Sequence, residues 1–451
     1  MDSKRRKSAH NTYDRLRNAQ QAQSAERPEA AGFPEPYASE PTRAQARATA
    51  EAFAGAGLSE NVPPAGESKI DEELRRDRNR PVQLRKKIFP ADVVFFMLVL
   101  GLLAFGLIMM YSASYAWSIY DYGTPNHYIN QQLLGVAFGG AAIVFCIIFD
   151  YSTVLKKLTW PLFIVSLFLM VLVILIGKTA NGAKRWLQLG PIGFQPSEIA
   201  KLAVIWALAW VYSKAGKRVR TFKWGILPLF LILGSMVALT LAQKHVSAII
   251  LMTLTAGVMA YLAGTKAWQL AGLACLGGGG IVAIVKFSDK FNYILARIAI
   301  WKDPFSDPSG LGYQTLQSLY AISSGGLFGL GLGQSRQKQL FLPEAQNDYV
   351  FSIVCEELGL VGAILLILLF AALVFRGYWI AVHAADKFGA MLAAGITTMI
   401  ALQTVMNIAV VTNTMPVTGI SLPFFSYGGT SLAILLAEMG IILSVSKQMR
   451  T

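Results

Sequence analysis

Of the 451 residues, 54% are hydrophobic and only 15% charged, against roughly 25% charged in soluble domains, and the mean hydropathy is +0.47. An ordinary soluble domain is excluded; this chain needs lipid to hide its apolar surface. The formal charge of +14 would suggest nucleic acid in a soluble protein, but the basic residues mostly flank apolar runs, where they set orientation in a membrane and imply no nucleic-acid partner.

Residues 1–88 are rich in Ala, Arg, Glu, Pro, Ser and Gln and cannot bury enough surface to fold, so a disordered basic cytoplasmic tail is expected. The tail ends in Arg75, Arg76, Arg78, Arg80, Arg85, Lys86 and Lys87, a flank of the kind retained in the cytoplasm. The first long apolar run starts near Phe89, which does not suit a cleaved signal peptide.

Stretches long enough to cross ~30 Å of hydrocarbon at ~1.5 Å per residue lie at 91–112, 131–149, 158–177, 224–242, 246–264, 267–286, 353–375, 388–412 and 428–446. A shorter run, 198–213, carries Glu198 and Lys201. Dropping it would move the cluster Lys214, Lys217, Arg218, Arg220 and Lys223 to the side of Lys184, against the positive-inside rule. The expected fold is therefore an all-α polytopic membrane domain, 89–447, of about ten transmembrane helices, with both termini cytoplasmic and residues 448–451 as the C-terminus. One connection, 287–348, is far longer than the rest and falls on the extracytoplasmic side between helices 7 and 8; loops of that length are often functional. Gly277 to Gly280 in the seventh span suggest close helix packing or a kink.

Ionisable groups at membrane depth are expensive and mark candidate sites. Glu198 and Lys201 are three apart, share a helix face and neutralise each other; they either make a polar helix tolerable in lipid or face a polar cavity. Before them come Asn181, Gly182, Ala183, Lys184, Arg185 and Trp186, then Gln195, Pro196 and Ser197. Pro196 and Ser197 suit a helix start. Lys184 and Arg185 beside Trp186 suit an anionic headgroup at the interface, and equally plain interfacial anchoring.

The long loop carries Asp303, Asp307, Tyr313, Gln314, Gln317 and Ser318, a glycine-rich stretch from Gly325 to Gly333, and the closing run from Leu342 to Asp348. Asp303 and Asp307 precede prolines and read as turn formers. Asp348 meets the membrane face, where partial desolvation raises carboxylate basicity as general-base work requires; a helix N-cap accounts for it equally well. Cys146, Cys275 and Cys355 lie in apolar runs, and His10, His127, His245 and His383 are scattered, which sets aside a disulfide framework, a zinc site and serine-hydrolase chemistry.

Three blocks, Asn181 to Trp186 with Gln195 to Lys201, Asp307 to Gly359, and Met415 to Ser431 (MPVTGISLPFFSYGGTS), together resemble the SEDS family, the shape, elongation, division and sporulation proteins that include FtsW and RodA. The similarity runs from about residue 90 to the end. It implies a ten-helix fold and a glycosyltransferase that polymerises lipid II, a disaccharide-pentapeptide on undecaprenyl pyrophosphate. The family's loop aspartate, in Leu-Pro-Glu-Ala-x-x-Asp, falls on Asp348, which would deprotonate the acceptor sugar's 4-hydroxyl. Lys184, Arg185 and Lys201 would steady the pyrophosphate, with Glu198 holding Lys201; Gln314, Gln317, Ser318 and Glu344 are the further substrate-binding candidates. A divalent cation, Mg2+ or Mn2+, would suit the leaving group, although the sequence shows no dedicated cage for one.

The resemblance also implies a class B penicillin-binding protein as transpeptidase partner, other divisome proteins around it, and a place in the bacterial cytoplasmic membrane at the division septum. Leu342 to Ala345 and Tyr427-Gly428-Gly429 look closer to the division and sporulation branch than to the elongation branch. Two departures stand out: the residues before the motif aspartate, often His-Thr, are Gln346 and Asn347, and a frequent Pro-Asp-x-Gly reads Lys244, His245, Val246, Ser247. A flippase for the lipid-linked precursor, an elongation-type polymerase and a non-catalytic scaffold remain the alternatives.

Overall fold

A computed structural model describes residues 91–449 except for 150, 181–182, 190–191 and 288–291; the expected tail, 1–88, lies outside the described residues. Twelve helices are described: α1 Val93–Tyr122, α2 His127–Ile148, α3 Thr159–Ile176, α4 Pro196–Ala215, α5 Phe222–Ala242, α6 Val246–Ala263, α7 Ala267–Phe287, α8 Asn292–Lys302, α9 Tyr313–Ser324, α10 Val350–Val382, α11 Lys387–Val411 and α12 Gly429–Ser446. Among the described residues nine of them are long and apolar enough to cross a bilayer, the charged α4 included. At the place of the seventh expected span stands α7, a 21-residue helix. The chain is a multi-pass membrane protein.

Burial explains why α4 tolerates its charges. It and α11 are the most enclosed spans, 72% buried, whereas α2 is 22% buried and α1, α5 and α10 are 33% buried. Glu198 and Lys201 therefore face protein, as ionisable groups in a membrane must. The outward faces of the peripheral helices carry Phe138, Ile148, Ile164, Phe168, Phe230 and Leu368, which suit hydrocarbon.

Close packing of α2 on α12 rests on small residues, the usual device where lipid offers no hydrophobic drive between helices. A Cβ at Gly135 would lie 2.2 Å from the Gly429 carbonyl oxygen, and one at Gly139 would lie 2.5 Å from Leu436. By contrast, Gly277, Gly278 and Gly279 have nothing within 4 Å of a built Cβ, so the close packing expected there is not found at these three positions.

Between α11 and α12 the chain does not leave the bundle. Gln403 Nε2 donates to Ser421 O (2.9 Å) and Asn407 Nδ2 to Ile420 O (2.7 Å), which places residues 420 and 421 one to two turns inside the end of α11. Phe424 is reached by Gly106, halfway along α1, where a Cβ would lie 2.4 Å from the Phe424 carbonyl oxygen. Irregular backbone at this depth survives only when enclosed by protein and hydrogen-bonded. Gln132 completes the set, donating to Ser426 O (3.2 Å) and accepting from Gly428 N (2.9 Å).

The long loop is more ordered than a connection. It holds α8 and α9, and its glycine-rich part inserts into a break in α10 at Gly359, whose φ is 67° and ψ −165°. Leu330 N and Gly331 N donate to the carbonyls of Glu356 and Glu357 (2.9 and 3.0 Å), while Leu360 N and Val361 N donate to those of Gly326 and Leu327 (2.9 and 3.1 Å). Lys338 then pairs with Glu357 at 2.7 Å, both buried, and Ser112 of α1 bonds to each. A second feature absent from the sequence reading is a three-stranded antiparallel sheet, β1 Lys178–Ala180, β2 Ala183–Leu189 and β3 Ile192–Phe194, joining α3 to α4.

Gly135→Leu is expected to destabilise the protein by about 1–3 kcal/mol through overpacking, read as a lower unfolding midpoint in detergent. Gly140→Ala, inside α2 with a Cβ that meets nothing within 4 Å, is expected to keep the midpoint or raise it slightly, by the higher helix propensity of alanine.

Candidate active site

A polar cavity of about 470 Å³ is enclosed by β2, α4, the α5–α6 turn, α8, α9, the end of the long loop and the re-entrant segment before α12. Asp348 lines it, half-buried, one residue before the N-cap of α10, Tyr349. Its main chain is fixed from two sides: Asn407 Nδ2 donates to Asp348 O at 2.8 Å, and Tyr427 N donates to Gln346 O at 2.8 Å. Leu342 and Ala345 are fully buried and anchor the run that presents Asp348. The carboxylate does not cap α10, which decides against the N-cap reading.

Burial pushes the Asp348 carboxyl up to about 6; the neighbouring Glu344 carboxylate adds to the rise, and the Arg297 and Arg185 guanidinium groups oppose it. Gly419 faces it with φ +66°, and a Cβ there would lie 3.1 Å from Asp348 Oδ2. A glycine is thus favoured both by the left-handed backbone and by the limited space beside the acid.

The cations Arg185, Lys201, Lys244 and Arg297 line the same cavity. β2 carries Arg185, whose Nη2 donates to Lys244 O at 2.6 Å; Arg297 of α8 donates to Val417 O at 2.9 Å. Lys201 pairs with Glu198 at 2.9 Å, and Ser431 of α12 donates to the same Glu198 oxygen at 3.1 Å. His245, 8% exposed, is held near a pKa of about 3 by burial, then by Arg185 and Lys201, so it stays neutral among these cations.

Of the residues singled out in the sequence, Asp348, Arg185, Glu198, Lys201, Gln314 and Glu344 come together here. Lys184, Gln317 and Ser318 are not among the lining residues; Ser318 is buried, bonded to Ser352 and Val411 O. Asp303 and Asp307 accept from Phe305 N (3.1 Å) and Leu311 N (2.9 Å) as turn formers. Sequence reading did not single out Arg297, a lone cation in YILARIAIW, or Gln403; it placed Gly419 and Tyr427 in a family block without a role in the site, and it left open the role of Lys244 to Ser247, which line the cavity. It also passed over Glu438, a single acid in an otherwise apolar span, where the cost of a charge in lipid was signal enough. Among the described residues no group of three or more His, Cys, Asp and Glu side chains is placed to hold a metal ion.

The family model described as "Cell cycle protein", covering FtsW, RodA and SpoVE, matches residues 92–451. Stage V sporulation protein E of Bacillus subtilis is 41% identical over 81% of this chain and 99% of its own length. A probable peptidoglycan glycosyltransferase FtsW of Geobacter sp. is 39% identical over 80% and 97%. Among solved structures, a chain of a peptidoglycan synthase complex studied for the coordination of polymerization and crosslinking superposes with a TM-score of 0.66 at 28% identity, covering 79% of this chain and 97% of that one. The rod shape determining protein RodA of Thermus thermophilus gives 0.59 at 27% identity, covering 80% and 98%. With the model matched from the first span to the last residue, this chain belongs to the FtsW/RodA/SpoVE family of cell cycle proteins.

Proposed function

We infer that this protein is a peptidoglycan glycosyltransferase that polymerises lipid II into glycan strands during bacterial cell division, with Asp348 as its general base. The observation that carries the site is the pairing, in one cavity, of a carboxylate poised near pH 6 with the cations Arg185, Lys201, Lys244 and Arg297. Asp348 takes the proton of the acceptor's 4-hydroxyl as that oxygen bonds to the donor's anomeric carbon. The bond from that carbon to the pyrophosphate oxygen breaks, and undecaprenyl pyrophosphate leaves with the electron pair. The developing negative charge falls among fixed cations, where electrostatic stabilisation is most effective. Glu344 and Gln314 are placed to meet sugar or peptide groups. A divalent ion, Mg2+ or Mn2+, would assist by sharing the charge of the leaving pyrophosphate, and activity measured with and without EDTA decides whether one is needed.

On this reading the long loop and the cavity face the outside of the cytoplasmic membrane, both termini are cytoplasmic, and the protein works at the septum beside a class B penicillin-binding protein. Identity to sporulation and division relatives favours those branches over an elongation role.

Protein purified with its co-expressed transpeptidase, the partner's active-site serine replaced, and supplied with lipid II is expected to form glycan polymer. Asp348→Ala should reduce the rate by about 10²- to 10⁴-fold, the usual worth of a general base, and still fold. Equal polymer from both would discard the site; no polymer from either, with lipid II crossing liposome bilayers, would favour the flippase.

The rate should fall about tenfold per pH unit below about 6, because only the ionised Asp348 accepts a proton. Glu344→Gln removes a like charge and should move that limb to lower pH, while Arg297→Gln should move it higher; initial rates across pH 4.5–8 test both. Gly419→Ala should depress polymerisation with little change in the amount of folded protein, its methyl crowding the carboxylate.

A further inference from the structure

Two polar contacts between α1 and α10 set a depth scale. At one end Asp92, the N-cap of α1, pairs with Arg376 of α10 at 2.7 Å. At the other, Ser112 of α1 donates to Glu357 of α10 at 2.7 Å, and Lys338 of the long loop donates to both. At ~1.5 Å per residue these contacts stand about 30 Å apart along α1 and about 28 Å apart along α10, which matches the ~30 Å of a bilayer's hydrocarbon. Between them both helices turn apolar side chains outward, Met97, Leu100 and Ile108 on α1, Leu360, Ile364 and Leu368 on α10.

On that scale the glycine-rich part of the long loop reaches into the hydrocarbon. Val361 N donates to Leu327 O at 3.1 Å, and Val361 lies about one helical turn deeper than Glu357. Glycines permit the approach: a Cβ at Gly325 would lie 1.9 Å from Cys355 O, and one at Gly329 would lie 2.1 Å from Glu357 O. Leu327, Phe328 and Leu332 are nevertheless 62%, 81% and 57% exposed, large apolar side chains uncovered by protein at a depth without water.

A groove of about 640 Å³ separates this segment from α1. The helix lines it with Leu107 and Ile108 below the level of Ser112 and with Tyr111 and Tyr115 at and above it, while Leu332 and Gly333 form the loop side. Apolar below and hydroxyl-bearing above is the polarity of a lipid, chain down and head group up. The groove follows α1 for only about 12 Å, too short to seat a crossing helix. Lys338, the charged side chain among the described lining residues, is already held by Glu357 at 2.7 Å, so the site reads the chain and not the charge of the head group.

We propose that residues 327–333 are seated in the leaflet on the Asp348 side, and that the groove between them and α1 binds an acyl chain of a phospholipid of that leaflet. The bound chain packs against the segment that meets α10 at Gly359, so lipid forms part of the long loop's support. The inference is independent of the reaction assigned to the cavity.

Full-length protein in phospholipid nanodiscs, without any partner protein, tests both halves. In hydroxyl-radical footprinting, corrected for intrinsic reactivity, Phe328 is expected to be oxidised several-fold more slowly than Tyr120, which is 71% exposed and about two turns above Ser112. Phosphatidylglycerol or phosphatidylethanolamine carrying a diazirine in one acyl chain should be retained through exchange into detergent. Photolysis is then expected to place adducts on residues 107–111 and on Leu332, in similar yield for the two head groups. Ile108→Trp and Leu332→Trp, filling the groove from opposite walls, should each cut that yield several-fold at an unchanged unfolding midpoint. Oxidation of Phe328 at the rate of Tyr120, or protection that needs the transpeptidase, overturns the proposal, because the segment then faces water or a protein. Adducts that are absent, confined to one head group or untouched by the tryptophans overturn it as well. The wild-type footprint and crosslinks decide the matter even where a variant does not fold.

Discussion

The architecture depends on satisfying peptide groups where there is no water to do it. The segment from Thr412 to Gly428 forms no continuous helix, with only isolated turns such as Ser426 N to Leu422 O, and three side-chain amides, Gln132, Gln403 and Asn407, pair with backbone groups that a helix would have satisfied. An unpaired carbonyl in hydrocarbon costs several kcal/mol, so these amides are as necessary to the fold as any apolar contact. Because Asn407 bonds to both Ile420 O and Asp348 O, one side chain joins the re-entrant segment to the proposed base.

Around that constraint the electrostatics follow. The cavity needs walls that are polar yet enclosed, and α4, Gln403 of α11 and the re-entrant backbone provide them together with β2, the α5–α6 turn, α8 and the end of the long loop. Charges that would be intolerable on a lipid-facing helix are retained on α4 because Glu198, Lys201 and Ser431 satisfy one another. The same enclosure raises the basicity of Asp348 and keeps His245 neutral, so one environment sets both protonation states in opposite directions.

Much of this was legible in the sequence. Apolar run length marked the spans, loop charge rescued α4, and the Leu342 to Asp348 run singled out the acid. What escaped has physical causes. A re-entrant segment and a crossing helix of similar composition look alike until their hydrogen-bond partners are known, and those of residues 420–428 come from α11, 13 and 18 residues earlier, and from α2, 294 and 296 residues earlier. Two strands of the sheet have three residues each, and the seven of β2, AKRWLQL, do not alternate apolar with polar. Glu438 and Arg297 are single charges without a motif, and the run Gly277 to Gly280 suggested close packing that is not found at Gly277, Gly278 or Gly279.

The break at Gly359 changes what α10 is as a mechanical object. Its first part, Val350 to Leu358, accepts hydrogen bonds from Leu330 N and Gly331 N of the loop and is tied by the buried Lys338–Glu357 pair to Ser112 of α1. The remainder begins on the same loop, Leu360 N and Val361 N donating to Gly326 O and Leu327 O, so the loop clasps the helix on both sides of the break. A displacement of the loop would therefore be felt at the break itself and, through the short first part, at Asp348. A protein docked on that loop would hold a handle on the acid without touching the cavity.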